Sequence, residues 1–87
     1  MKVVERELTV KIDPGLQARP AAKFVQEANR FSAEIFLEKG GKQVNAKSIM
    51  GVMSLAIGMN EVVGIQADGP DEDEAIEKLS QFITAES

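Results

Sequence analysis

The sequence predicts an α+β fold in two layers, with three helices on one face of a mostly antiparallel, four-stranded sheet. Three observations lead there. Short stretches alternate apolar and polar residues at period two, and longer ones repeat apolar residues at offsets of three and four. Turn residues separate these stretches in the order strand, helix, strand, strand, helix, strand, helix, so that every helix can cover the same face.

The first strand is read over Val4 to Ile12, with Leu8, Val10 and Ile12 on one side and Glu7, Thr9 and Lys11 on the other. Asp13-Pro14-Gly15 ends it with turn chemistry. A helix follows, in which Ala21, Phe24, Val25, Ala28 and Phe31 form the apolar stripe and Lys23, Gln26, Glu27 and Arg30 the wet face. Pro20 stands near its start, where a missing N–H costs little. Ala33, Ile35 and Leu37 alternate with Glu34 and Glu38. Lys39-Gly40-Gly41-Lys42 then turns the chain into a second arm carrying Val44 and Ala46, which together read as a hairpin. From Ser48 to Ile57 the run is apolar nearly all round, so this helix must be buried or must offer its surface to a partner. Val63, Ile65 and Ala67 mark the fourth strand. The last helix carries Ala75, Ile76, Leu79, Phe82 and Ile83 on one stripe, and Asp71 with Glu74 three residues on resembles a capping box.

Eighty-seven residues, 44% of them apolar, fit one domain spanning residues 1–87. Without cysteine or histidine the chain lacks disulfides, thiolate metal sites, the commonest metal ligand and the commonest general base. Neither a metal nor a cofactor is expected, and the acidic run Asp71-Glu72-Asp73-Glu74 is read as a solvated helix start. A formal charge of −4 and only four aromatic residues, all Phe, argue against direct binding of nucleic acid. No apolar run approaches the ~20 residues that span a bilayer, and the amino terminus has acidic residues where a signal peptide needs an apolar stretch. A cytoplasmic protein without a membrane partner is the expectation.

Chemistry concentrates at two helix starts. At Gly15-Leu16-Gln17-Ala18-Arg19-Pro20-Ala21, unpaired backbone N–H groups and the Arg19 fork suit an anion, although Gly15 can equally be a simple turn and Arg19 a simple surface charge. At Asn45-Ala46-Lys47-Ser48-Ile49-Met50, Ser48 is either an ordinary N-cap or a site of phosphorylation, since a phosphate is well tolerated at a helix start. Lys47, and Arg19 if the two starts adjoin, could pair with it. Ile49, Met50 and Met53 would give a partner an apolar landing area, or would fill the core.

The first of these segments resembles the active-site signature of the HPr phosphocarriers of the sugar phosphotransferase system. Residues 45–55, Asn45 to Leu55, resemble the regulatory serine site of the same family, and the likeness runs along the chain to Gly69-Pro70-Asp71-Glu72. It implies the HPr open-faced β-sandwich, a four-stranded antiparallel sheet with three helices. One departure changes the implied activity: the family carries its phosphoryl group on a histidine where this chain has Gln17. An amide nitrogen, its lone pair delocalised into the carbonyl, is no nucleophile near neutral pH. Glutamine there with the serine retained resembles the catabolite-repression branch of HPr homologues in Gram-positive bacteria. The resemblance then implies a regulator, not an enzyme. HPr kinase/phosphorylase would phosphorylate Ser48, and the product would act as corepressor of the catabolite control protein, a LacI-type repressor. Arg19 would help bind the phosphoserine or the repressor, Ile49, Met50 and Met53 would form the apolar contact, and Gln17, Ala22 and Gln26 would border it, with Lys47 adding charge from its place beside Ser48.

Three rivals stand beside this reading. One is a working HPr phosphocarrier. Another is a small acylphosphatase-type enzyme using Arg19 with Asn45 or Asn60. The third is an acyl-carrier-like helical bundle with a prosthetic arm on Ser48. The family resemblance, and not the residues, implies that a homodimer formed by exchange of the amino-terminal segment is an option beside a monomer.

Overall fold

The computed structural model describes residues 4–13 and 15–85, so Pro14 of the predicted turn and residues 1–3 of the amino-terminal segment lie outside it. Strands β1 (Val4–Thr9), β3 (Glu34–Lys39), β4 (Lys42–Asn45) and β6 (Val62–Asp68) form an antiparallel sheet in the order β1-β6-β3-β4. Helices α1 (Ala18–Ala28), α2 (Ile49–Ser54) and α3 (Glu72–Thr84) accompany it. The α+β expectation and the order of the long elements are thus met.

Register explains why one face is dry. Leu8 lies opposite Val63, and Leu37 pairs with Ile65 and Val44, so alternate residues of each strand turn toward the helices. There Phe24 of α1 and Ile76, Leu79 and Ile83 of α3 are buried with them, and the Phe24 and Phe82 rings meet edge to face at 5.9 Å. The opposite face is uncovered. It carries Glu5, Glu7, Glu34, Glu38 and Asp68, and among the described residues of the four strands no lysine or arginine shares it. The β3–β4 hairpin turns on Gly40 and Gly41 with φ of 58° and 84°, the conformation of a two-residue type I′ turn.

Four local expectations need correction. β1 ends at Thr9 and not at Ile12, because Val10 leaves the sheet to bond Glu61 and Asn60, while the N–H groups of Lys11 and Ile12 donate to Ile83 O. The apolar run after Ser48 is helical only to Ser54. Ala56 takes a left-handed φ of 49°, and Ile57–Gly58 becomes a short strand, β5, that pairs with another, β2 (Gly15–Leu16). Phe31 lies beyond the end of α1, although it still packs on the core. The capping box at Asp71 does not form. Its carboxylate instead accepts the N–H groups of Ser32 and Ala33 across the molecule, both at 2.8 Å, and Glu72 reaches back to Gly69 N at 3.0 Å.

The Ser32 N–H, with smaller help from Ala33 N–H and the Lys47 charge, holds the Asp71 carboxyl below its ordinary value against the opposing effect of desolvation. A group depressed on folding stabilises above its unfolded pKa and loses that contribution as pH falls through the folded one. Thermal stability is therefore expected to be flat from neutrality to pH 5 and to decline below pH 4. Asp71→Asn should be less stable at neutrality, its deficit shrinking in the acid range; a deficit independent of pH in calorimetry would contradict this.

The β2–β5 ribbon depends on Gly15. Its φ is 109°, and a Cβ there would overlap the Ile57 carbonyl oxygen and lie 2.8 Å from Gly58 C. Gly15→Ala is expected to cost roughly 1–3 kcal/mol in denaturant unfolding, the range for forced overpacking, and to open the ribbon.

Candidate functional site

The two segments singled out above occupy opposite ends of one surface. Gln17 is the N-cap of α1, in extended conformation, and its side chain does not cap the helix. Its amide donates instead to Ile57 O at 3.3 Å, across the β2–β5 ribbon. Ala18 follows with a left-handed φ of 53°, uncommon for a residue bearing a Cβ. Arg19 lies exposed in the first turn, with no ion pair among the described residues.

Ser48 caps α2, its Oγ accepting Gly51 N–H at 3.1 Å. The preceding turn is built for this. Asn45 Oδ1 accepts Lys47 N–H at 2.8 Å, and Ser48 N donates to Asn45 O at 3.1 Å. A Cβ on Gly51 would lie 3.3 Å from Asn45 O and in ordinary contact with Ser48 Oγ at 3.4 Å. Lys47 is not aimed at Ser48: its ammonium donates to Phe31 O at 2.7 Å, beyond the end of α1.

Helices α1 and α2 pack with opposite directions. Asn29, the C-cap of α1, donates to Lys47 O at the start of α2, whereas Gln17 at the start of α1 reaches the segment that follows α2. Arg19 and Ser48 are therefore separated along α1, a helix of 11 residues and thus ~16 Å long. The condition for Arg19 to pair a phosphate on Ser48 of the same chain, that the two starts adjoin, is not met. What joins them is a stripe on α1 formed by Arg19, Ala22, Gln26 and Asn29, all exposed and spaced three and four apart. Sequence reasoning, which carried the apolar stripe through Phe31, missed Asn29.

The exposure of α2 resolves whether its methionines are core or surface. Of its six residues only Val52 is buried, while Ile49, Met50 and Met53 are 37%, 77% and 47% exposed. Met50 and Met53, three apart, form an apolar ridge directly after Ser48. Among the described residues no group of three acidic, histidine or cysteine side chains could hold a metal ion. In the acylphosphatase alternative Asn45 is poorly placed, since it lies at the far end of α1 from Arg19 and is engaged by Lys47 N, while Asn60 accepts from Lys11 Nζ. The sheet excludes the helical-bundle alternative.

Comparison with known proteins bears on the family and the fold. The family model described as PTS HPr component phosphorylation site matches residues 4–85. The chain belongs to the HPr family. Among HPr-family relatives it is 61% identical over 84 residues to the HPr-like protein Crh of Halalkalibacterium halodurans, covering 97% of this chain and all of that one. The crystal structure of the phosphocarrier protein HPr from Bacillus anthracis superposes with a TM-score of 0.95 at 55% identity, covering 97% of this chain and 100% of that one. The crystal structure of Crh from Bacillus subtilis, described as a swapped-domain dimer, gives 0.75 at 57% identity and covers 92% of each. The sheet with its three helices is the open-faced sandwich of the HPr fold. Among the described residues no helix is long and apolar enough to cross a membrane.

Proposed function

We propose that this HPr-family chain is a regulator phosphorylated on Ser48 by HPr kinase/phosphorylase, and that the phosphorylated form is a corepressor of the LacI-type catabolite control protein. The observation that carries the reading is the pairing of a half-buried, turn-anchored Ser48 with the exposed ridge of Ile49, Met50 and Met53, in a chain whose carrier position is Gln17. Phosphorylation would add about −1.5 to −2 charges where the first N–H groups of α2 lack intrahelical partners. Charge-assisted hydrogen bonds to basic groups of the repressor would then favour its operator-binding state.

Arg19, Ala22 and Gln26 would extend the contact along α1, and Gln17 would touch the partner without chemistry. Lys47, engaged with Phe31 O, would serve mainly to shape the turn that presents Ser48. Contact with DNA would belong to the repressor. In this reading the protein is neither an enzyme nor a phosphohistidine carrier, it acts in the cytoplasm as one domain, and it needs neither metal nor cofactor. A homodimer is supported by the swapped-domain description of the Bacillus subtilis Crh structure.

The test is intact mass after incubation with HPr kinase/phosphorylase and ATP, followed by mapping. One phosphate on Ser48 supports the proposal; no phosphate, or phosphate elsewhere, overturns it.

A further inference from the structure

One ammonium group holds the carboxyl-terminal end of α2. Lys39, the last residue of β3, donates to Leu55 O at 3.1 Å and to Ala56 O at 3.0 Å, and its third partner is the Glu61 carboxylate. An ammonium has three donors, and here each has an acceptor. The second carboxylate oxygen of Glu61 accepts Gly58 N–H at 2.9 Å. Gly58 pairs with Gly15 in the β2–β5 ribbon, and the adjacent Ile57 carbonyl receives the Gln17 amide. A connected set of polar contacts thus runs from β3, through the segment after α2, to the start of α1. It also grips Ala56 in the left-handed conformation that glycine usually takes after a helix. The other end of α2 is fixed separately, by the Ser48 cap and the Asn45 turn.

Resting on the reading of Ser48 above, we propose that Lys39, held by Glu61, is a positioning residue for partner docking. It sets the ridge of α2 against the Gln17 end of α1, so that HPr kinase/phosphorylase meets both in register. Lys39 touches neither Ser48 nor Gln17 and acts through the Leu55–Gly58 backbone. Its loss changes how the surface is recognised and leaves the reactivity of the Ser48 hydroxyl intact.

The experiment compares Lys39→Met, Glu61→Gln and Lys39→Arg with the wild type in two arms. In the unmodified chains, amide exchange at residues 55–58 should quicken about tenfold in Lys39→Met and Glu61→Gln, whereas the Gly51 amide is unchanged. The Gln17 side-chain amide resonances should shift in both variants and return in Lys39→Arg. With HPr kinase/phosphorylase, KM for Lys39→Met should rise about fivefold at constant kcat, and Lys39→Arg should recover most of the loss. Unmoved Gln17 resonances, or kcat and KM altered together without rescue by arginine, would overturn the proposal. A wild type that accepts no phosphate would remove the Ser48 reading and the docking role together, while the first arm, run without kinase, would still decide whether Lys39 positions Gln17.

Discussion

Ser48→Ala is expected to accept no phosphate from HPr kinase/phosphorylase and to lose all phosphate-dependent binding to the catabolite control protein. Ser48 is the hydroxyl at the head of the exposed ridge; Ser54, at the other end of α2, is engaged with Gly51 O at 2.6 Å. The substitution removes the Oγ that accepts Gly51 N–H, and loss of such a cap costs ~1 kcal/mol, too little to unfold the domain. The sheet and core should remain, so a null result in binding would report on the hydroxyl itself. Ser48→Asp keeps the cap and one negative charge, and should restore binding only in part because a carboxylate lacks the charge and third oxygen of a phosphate. Intact mass and titration calorimetry check both variants. Equal affinity of wild-type and alanine proteins after kinase treatment would exclude Ser48 as the switch.

The second large effect concerns Gln17. Incubated with enzyme I of the phosphotransferase system and phosphoenolpyruvate, the wild type should gain no phosphate, whereas Gln17→His should gain one, in acid-labile form. The backbone at this position is already built: an extended N-cap, a left-handed Ala18 behind it, and the Gly15 ribbon that lets the segment pack closely on Ile57 and Gly58. An imidazole there has an available ring nitrogen, which a primary amide does not. Mass spectrometry before and after mild acid separates phosphohistidine from phosphoserine. Phosphate on the wild type would end the regulatory reading, and an unreactive Gln17→His would mean that the surface around this position, and not its side chain alone, has diverged from that of a carrier.

How much of this was legible in the sequence depended on the range of the forces involved. Period-two alternation at Ile35–Leu37 and Val63–Ala67 and the stripe Ala21–Phe24–Ala28 are local records of which face meets the core, and they read correctly. The Gly40-Gly41 turn read correctly because a two-residue hairpin needs positive φ at both positions. Contacts between distant segments were not legible. Asp71 and Glu74 have the spacing of a capping box, yet the Asp71 carboxylate is taken by Ser32 and Ala33, nearly forty residues away in sequence. The Lys39–Glu61 clamp and the β2–β5 ribbon carry no local pattern, because each joins residues brought together only by the sheet. Both candidate helix starts were visible; their placement at opposite ends of an antiparallel helix pair was not.

The uncovered sheet face, with Glu5, Glu7, Glu34, Glu38 and Asp68, lies on the far side of the molecule from Arg19, Lys23 and Lys47. The helical side also carries Glu27 and the α3 acids Glu72, Asp73, Glu74 and Glu77, so its charges nearly balance, while the sheet face is uniformly negative and leaves the molecule with a lopsided charge. A corepressor of the kind proposed must approach a repressor seated on DNA, itself a strong polyanion. In that field the carboxylate side turns outward and the helical side inward, so the encounter is partly oriented before any contact forms, an advantage that dissolved salt would erode within a Debye length of ~8 Å at physiological ionic strength.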